Sequence, residues 1–204
     1  MIKQQYEKLR QFYRGDFRHQ LIITTIAFVA LIVIGFAAGL IRPAIAENMV
    51  DHFAQMVAGL GLQEVDGSIS AGLIFANNLR AMIVSICYGF LPFICLPALS
   101  LGINTVLVGL FGAYYINNGA TLLTFLSSVI PHGIFEIPAL ILSLSCGLYL
   151  CRCVSDNVRH KATDTIGNVV KQIIRVVAFH IFPLLLVAAF IEAYITPHIM
   201  NMFL

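Results

Sequence analysis

A long stretch with almost no charge constrains this chain more than any other feature. Between Arg80 and Arg152, the only aspartate, glutamate, lysine or arginine is Glu136. Across all 204 residues, 59% are hydrophobic and 11% are charged, whereas soluble domains carry about 25% charged residues. We therefore predict an all-α, polytopic membrane helix bundle that forms a single membrane domain over residues 1–204.

Apolar segments of sufficient length predict five transmembrane helices, since a membrane helix needs about 20 apolar residues. Gly102 and Asn104 mark the predicted turn between the two spans that share one uncharged segment, and Pro92 and Pro97 are expected to kink the first of these spans. The predicted spans lie in the following segments: 21–41, 81–116 (two spans), 134–150 and 176–195.

The distribution of basic residues predicts the orientation of the chain in the membrane. Lysine and arginine accumulate in cytoplasmic segments. Five crossings place the basic segment 1–20 and the loop 152–175 on the same side, and together these hold ten of the twelve basic residues. The loop 42–79 carries four acidic residues, with Arg42 at its edge. We predict a cytoplasmic N-terminus, an external loop 42–79 and an external C-terminus.

One segment of the external loop has the pattern of an amphipathic helix. Apolar residues recur at helical spacing over residues 44–62, with polar residues opposite them, which predicts a helix on the outer leaflet or capping the bundle. Its residues Met49, Phe53 and Met56 are candidate contacts for a partner protein. An ordinary lid helix without a partner would show the same pattern.

Helix-breaking residues stand beside the lone carboxylate. The apolar residues 120–130 are too few to cross a membrane before Pro131, so we expect a re-entrant or interfacial segment with a helix break at Pro131 and Gly133. His132 and Glu136 are four residues apart and share a face of any continuous helix.

A carboxylate inside hydrocarbon costs roughly 2.5 kcal/mol or more, so it requires a partner or a function. The predicted depths agree for Arg80, Glu136 and Glu192, and we predict a polar layer in which Arg80 bridges the two carboxylates. The candidate polar or ligand site comprises the following residues: Arg80, Glu136, Glu192, His132, Asn78 and Asn104.

Several interpretations of this cluster remain open. It is a structural ion-pair network, a ligand or ion site on a broken helix as in transporters, or the centre of a metal-dependent intramembrane hydrolase. We expect no metal, because His132-x-x-x-Glu136 lacks a third ligand and His180 lies near the opposite face. We also expect no catalytic residues, since Ser127 and Ser128 stand outside a Gly-x-Ser-x-Gly context.

Three segments in the right order resemble the stage II sporulation protein M family of small polytopic membrane proteins. They are residues 75–80, residues 131–139, and residues 189–197 with the pattern Ala-x-x-Glu-x-x-x-Thr-Pro. Asn104 matches as well, although Thr105 follows it where family members often have glycine.

The resemblance implies a scaffold rather than an enzyme. The family's namesake in endospore-forming bacteria scaffolds two proteins that remodel peptidoglycan during engulfment, and it is not itself the hydrolase. We therefore expect a non-enzymatic cell-membrane scaffold whose partners are membrane lipid and peptidoglycan-remodelling envelope proteins, without cofactors or nucleic acid. A small transporter or channel is the alternative. Homo-oligomerisation stays open, because the Gly35-x-x-x-Gly39 surface packs helices within or between chains.

Overall fold

The computed structural model describes residues 2–58, 70–94, 96–161 and 164–200, and in these ranges the chain is helical without strands. A 3₁₀ turn, Tyr88–Phe90, extends α4, and a π-helical segment, Val177–Ile181, joins α7 to α8. The α-helices are as follows: α1 (Ile2–Arg14), α2 (Asp16–Ile41), α3 (Pro43–Ala58), α4 (Ala71–Cys87), α5 (Leu96–Asn117), α6 (Leu122–Val158), α7 (Ile166–Val176), α8 (Phe182–Tyr194) and α9 (Thr196–Met200).

Five helical stretches in the described ranges are long and apolar enough to cross a membrane, which confirms the predicted all-α polytopic bundle. The five stretches are Asp16–Ile41, Ala71–Phe90, Leu96–Asn117, Val129–Val158 and Ile166–Tyr194.

The second span begins earlier than predicted. The Ser70 hydroxyl accepts a hydrogen bond from the Leu73 N–H and thereby caps α4, so residues 71–79 belong to a span and not to a loop. The predicted turn at Gly102 and Asn104 is wrong, since both residues lie inside α5.

Prolines mark the true turn between these two spans. Pro92 lies between Phe90 and Leu96, where neither helix continues, and Pro97 is the second residue of α5. The first turn of a helix accommodates proline, because its N–H groups have no partner within the helix. The two prolines therefore end one span and begin the next, and they do not kink a single helix as predicted.

The predicted helix break at Pro131 and Gly133 is also wrong. Helix α6 has 37 residues and runs without interruption through Pro131, Gly133 and Pro138. At 1.5 Å per residue it is about 55 Å long. Residues 122–130 are its first turns and not a re-entrant segment, while their predicted interfacial position stays a prediction. Packing against α8 and α9 supports this backbone, as neighbouring helices do for prolines in other membrane bundles.

Glycines bring α2 and α5 into backbone contact. A Cβ atom on Gly35 would collide with the Val106 carbonyl, and one on Gly109 would collide with the Ile32 carbonyl. A Cβ atom on Gly39 would lie 2.6 Å from the Ala113 methyl group. Small residues permit such close approach of membrane helices, so these glycines pack helices within one chain.

Aromatic side chains fill the opposite end of the bundle from the start of α6. Phe12 of α1 stacks on Phe17 of α2 with ring centroids 4.4 Å apart, and both rings contact Tyr149 of α6 edge-on. The Tyr13 hydroxyl lies 3.4 Å from His180 Nδ1. Burial and, to a lesser extent, the Cys146 thiol raise the pKa of Tyr13, so Tyr13 stays protonated and can donate a hydrogen bond to His180 Nδ1.

Candidate functional site

Three ionisable side chains from two helices converge near the start of α6. His132 and Glu136 lie one turn apart on α6, and Glu192 lies on α8, which packs alongside α6. The metal-ligating atoms of these three residues all lie within 4.8 Å of one another, and each side chain is half-buried. We call these three residues the carboxylate cluster.

Thr196 adjoins the carboxylate cluster. Its side chain is buried, and its Oγ1 lies 3.4 Å from His132 Nδ1. Thr196 follows Glu192 by four residues, as Glu136 follows His132. Two pairs with the same spacing therefore face each other, with His132 near Thr196 and Glu136 near Glu192.

The predicted bridge from Arg80 to the carboxylates is wrong. Within the described ranges, the structure has one ion pair, between Arg152 and Asp156, and none between Arg80 and Glu136 or Glu192. The reason is the earlier start of the second span. Arg80 is nine residues into α4 and points away from the neighbouring helices.

Asn78 and Asn104 also lie apart from the cluster. No hydrogen bond between described residues joins Asn78 to the cluster, and the Asn104 amide donates to the Ser100 carbonyl of its own helix at 2.8 Å. Of the six predicted site residues, the structure brings together the histidine and the two glutamates.

Arg80 lies instead on an exposed face of α4. Leu73 is 45% exposed and Val84 is 39% exposed, and these residues flank Arg80 at helical spacing together with Ala76. The guanidinium is thus carried on an apolar stripe that faces away from the bundle. Arg80 lies about 14 Å along the helix from Ala71, which is deep within a membrane span.

The amphipathic helix is confirmed in α3, and part of its apolar face packs against the bundle while Ile45 on the same face is 41% exposed. Ala46 is fully buried, Met49 and Phe53 are half-buried, and the Phe53 ring lies 5.1 Å from the Phe111 ring of α5. Phe53 thus packs partly on α5, and the role of Met49 and Phe53 as partner contacts stays a prediction. The Met56 side chain and residues 59–62 lie outside the described residues.

Sequence reasoning missed Thr196 as a neighbour of His132. The signal was present in the spacing, because Glu192-x-x-x-Thr196 repeats the four-residue interval of His132-x-x-x-Glu136. Residues at this interval share a helix face, so two such pairs on packed helices can meet side by side.

The five spans and the intramembrane carboxylates define a polytopic membrane helix-bundle protein. The family model of stage II sporulation protein M matches residues 22–197. The chain therefore belongs to the stage II sporulation protein M family, as its sequence segments predicted; this is not a known enzyme family. The chain matches no curated protein and no solved structure.

Proposed function

We propose that this protein is a non-enzymatic membrane scaffold of a cell-envelope complex, and that it binds a partner through the exposed face of α4 around Arg80. The observation that carries the proposal is an arginine on an apolar, outward-facing stripe of a span. An arginine at the centre of a membrane helix costs about 2.5–3.5 kcal/mol on insertion scales. A carboxylate from a partner would offset this cost.

The chemistry of Arg80 defines the partner. A guanidinium binds a carboxylate through two parallel hydrogen bonds, and this pairing is strongest away from water. The partner is therefore a membrane helix that carries aspartate or glutamate at the depth of Arg80. Family membership supports envelope proteins that remodel peptidoglycan, since the namesake of the family scaffolds such proteins.

The proposed orientation is an N-terminus in the cytoplasm and a C-terminus outside. Ten of the twelve basic residues support it, because they lie outside the spans or toward the span ends on that one side. The carboxylate cluster and α3 then lie toward the external face, where peptidoglycan is found. Alkaline phosphatase fused after residue 204 should be active, and fused after Lys161 it should be inactive; the reverse pattern would contradict this orientation.

Site-specific photocross-linking tests the docking surface. Cross-linkers at Leu73 and Ala76 should capture an envelope protein with a peptidoglycan-remodelling domain, whereas a cross-linker at Phe53, whose ring packs on Phe111, should not. Capture should survive Arg80→Lys and be lost in Arg80→Glu. Replacement of the partner's aspartate or glutamate by lysine should restore capture by the Arg80→Glu variant.

Two results would contradict the docking proposal. In one, Arg80→Glu captures the partner as well as the unmodified protein does. In the other, the captured partner has no carboxylate within its spanning segment. Either result would mean that the Arg80 side chain extends toward the lipid headgroups and that its guanidinium contacts no partner carboxylate.

A small transporter or channel is the second candidate, and the carboxylate cluster is the observation that favours it. Carboxylates in spans commonly mark ion pathways, although α6 lacks the broken helix on which transporter sites are built. Ion or solute flux in proteoliposomes that disappears in Glu192→Gln would favour this function. An absence of ion or solute flux in proteoliposomes with the unmodified protein would count against this function.

A further inference from the structure

We propose that His132, Glu136 and Glu192 bind a divalent transition-metal ion, with Zn²⁺ as the best fit, and that this ion clamps α6 to α8. The inference goes beyond the scaffold role and stands without it, because it rests on the three side chains and not on any partner. The metal is structural in this proposal and requires no chemical step.

The spacing of the three side chains suits a shared ion better than direct contact. No described residue, including His132, forms an ion pair with either glutamate. Yet the donor atoms lie within 4.8 Å of one another. Zinc binds nitrogen and oxygen at about 2.0–2.2 Å, so ligand atoms on one ion lie about 3.3–4 Å apart. Small side-chain rotations close the difference.

The donor set and its charge also match such an ion. Imidazole with carboxylate favours zinc or another late first-row metal, while Mg²⁺ and Ca²⁺ prefer oxygen ligands alone. Two ionised carboxylates carry two negative charges, which one divalent cation balances. A neutral site avoids most of the cost of charge inside a membrane, and in the described part of the chain no lysine or arginine pairs with either carboxylate instead.

Thr196 supplies the outer contact that metal-binding histidines usually have. With its proton on Nδ1, His132 donates to the Thr196 hydroxyl at 3.4 Å and leaves Nε2 for the metal. Such a partner fixes the tautomer and the orientation of the ring. The buried Thr196 thus acts as a positioning residue.

The third ligand explains why the sequence alone predicted no metal. The sequence-based prediction considers His180 as the third ligand, and the depth of His180 in the membrane excludes it. In the structure His180 indeed contacts Tyr13. Glu192, which is 56 residues after Glu136, completes the set because α8 folds back along α6.

Metal content of the full-length protein, purified in detergent without chelators, tests the site. We expect about one zinc ion per chain. Glu136→Gln, Glu192→Gln and His132→Ala should each lower zinc affinity at least about tenfold, and Thr196→Val should lower it by about tenfold, as outer contacts of metal-binding histidines do. The matched control is His180→Ala, which removes a histidine of the α7–α8 span and should keep its zinc.

Thermal unfolding with added zinc distinguishes a variant that has lost the metal site from a variant that has misfolded. Zinc should raise the Tm of the unmodified protein and of His180→Ala, and it should not raise the Tm of folded Glu192→Gln. The site is excluded if the unmodified protein holds no more zinc than Glu192→Gln, or if zinc raises both Tm values equally. These measurements use the isolated protein, so either outcome leaves the α4 docking proposal standing.

Discussion

Two helix pairs in this bundle are joined by opposite means. Helices α2 and α5 meet at Gly35 and Gly109, where backbone touches backbone and no side chain intervenes. Helices α6 and α8 meet at Glu136 and Glu192, where two carboxyl groups face each other without a cation from the described part of the chain. The first contact is complete by shape alone, while in the second the proposed metal ion joins the two carboxyl groups.

The contrast separates what packing determines from what chemistry determines. At the glycine contact, any added atom displaces a helix, so its contribution is independent of pH, metal and partner. At the carboxylate cluster, the helices are positioned by packing elsewhere, and the stability of the contact depends on what neutralises the carboxylates.

The largest effect is expected from filling the glycine contact. Gly109→Leu places a side chain where even a Cβ atom collides with the Ile32 carbonyl, so the bundle should fail to assemble. Gly102→Leu is the matched control, because a Cβ atom at Gly102 meets nothing within 4 Å. Yield of monodisperse protein in detergent measures both. Equal yields would show that α2 and α5 separate without cost.

Glu192→Gln should change stability in opposite directions with and without metal. In a chelator, loss of one of two facing carboxylates removes repulsion and should raise the Tm. In zinc at one hundred times its Kd, the unmodified protein gains about 2.7 kcal/mol that the variant lacks. Thermal unfolding under both conditions checks this, and a variant that is less stable in both would point to a direct bond between the glutamates.

Thr196→Val should have a smaller effect, about 1 kcal/mol, because it removes a single buried hydrogen bond to His132. Chemical unfolding in mixed micelles measures it. Since the same change should weaken zinc binding, the loss in stability should be greater with zinc than with a chelator. An identical loss under both conditions would place Thr196 outside the metal site.

Arg80→Lys should have the smallest effect on the isolated protein. Arg80 is exposed and forms no ion pair with the cluster, so the free energy of unfolding should change by less than about 0.5 kcal/mol. A loss of several kcal/mol would restore the bridge to Glu136 and Glu192. The effect of Arg80 should appear only when a partner is present.

The spans were predictable because hydropathy and length act locally along the chain. Five crossings and the amphipathic α3 follow directly from the sequence pattern. The boundaries around Arg80 were not predictable in this way, because an uncharged run begins at residue 81 while the helix begins at Ala71, capped by Ser70.

The sequence predicted three members of the site, His132, Glu136 and Glu192, but not the way in which its residues pair. Depth placed Glu136 and Glu192 at one level, and the structure joins them. The depth of a residue in the membrane does not determine which face of its helix it occupies. Arg80 lies on a face of α4 that points away from both carboxylates. The helix break predicted at Pro131 is wrong for a related reason. The effect of Pro131 on α6 depends on packing against α8 and α9, which the local sequence does not encode.

Anomalous diffraction at the zinc edge tests the central claim most directly, that an ion and not Arg80 holds the two carboxylates. Crystals grown without chelators should give an anomalous peak bounded by His132, Glu136 and Glu192, with the Arg80 guanidinium outside hydrogen-bond reach of both glutamates. No peak, together with Arg80 bonded to either carboxylate, would contradict the account.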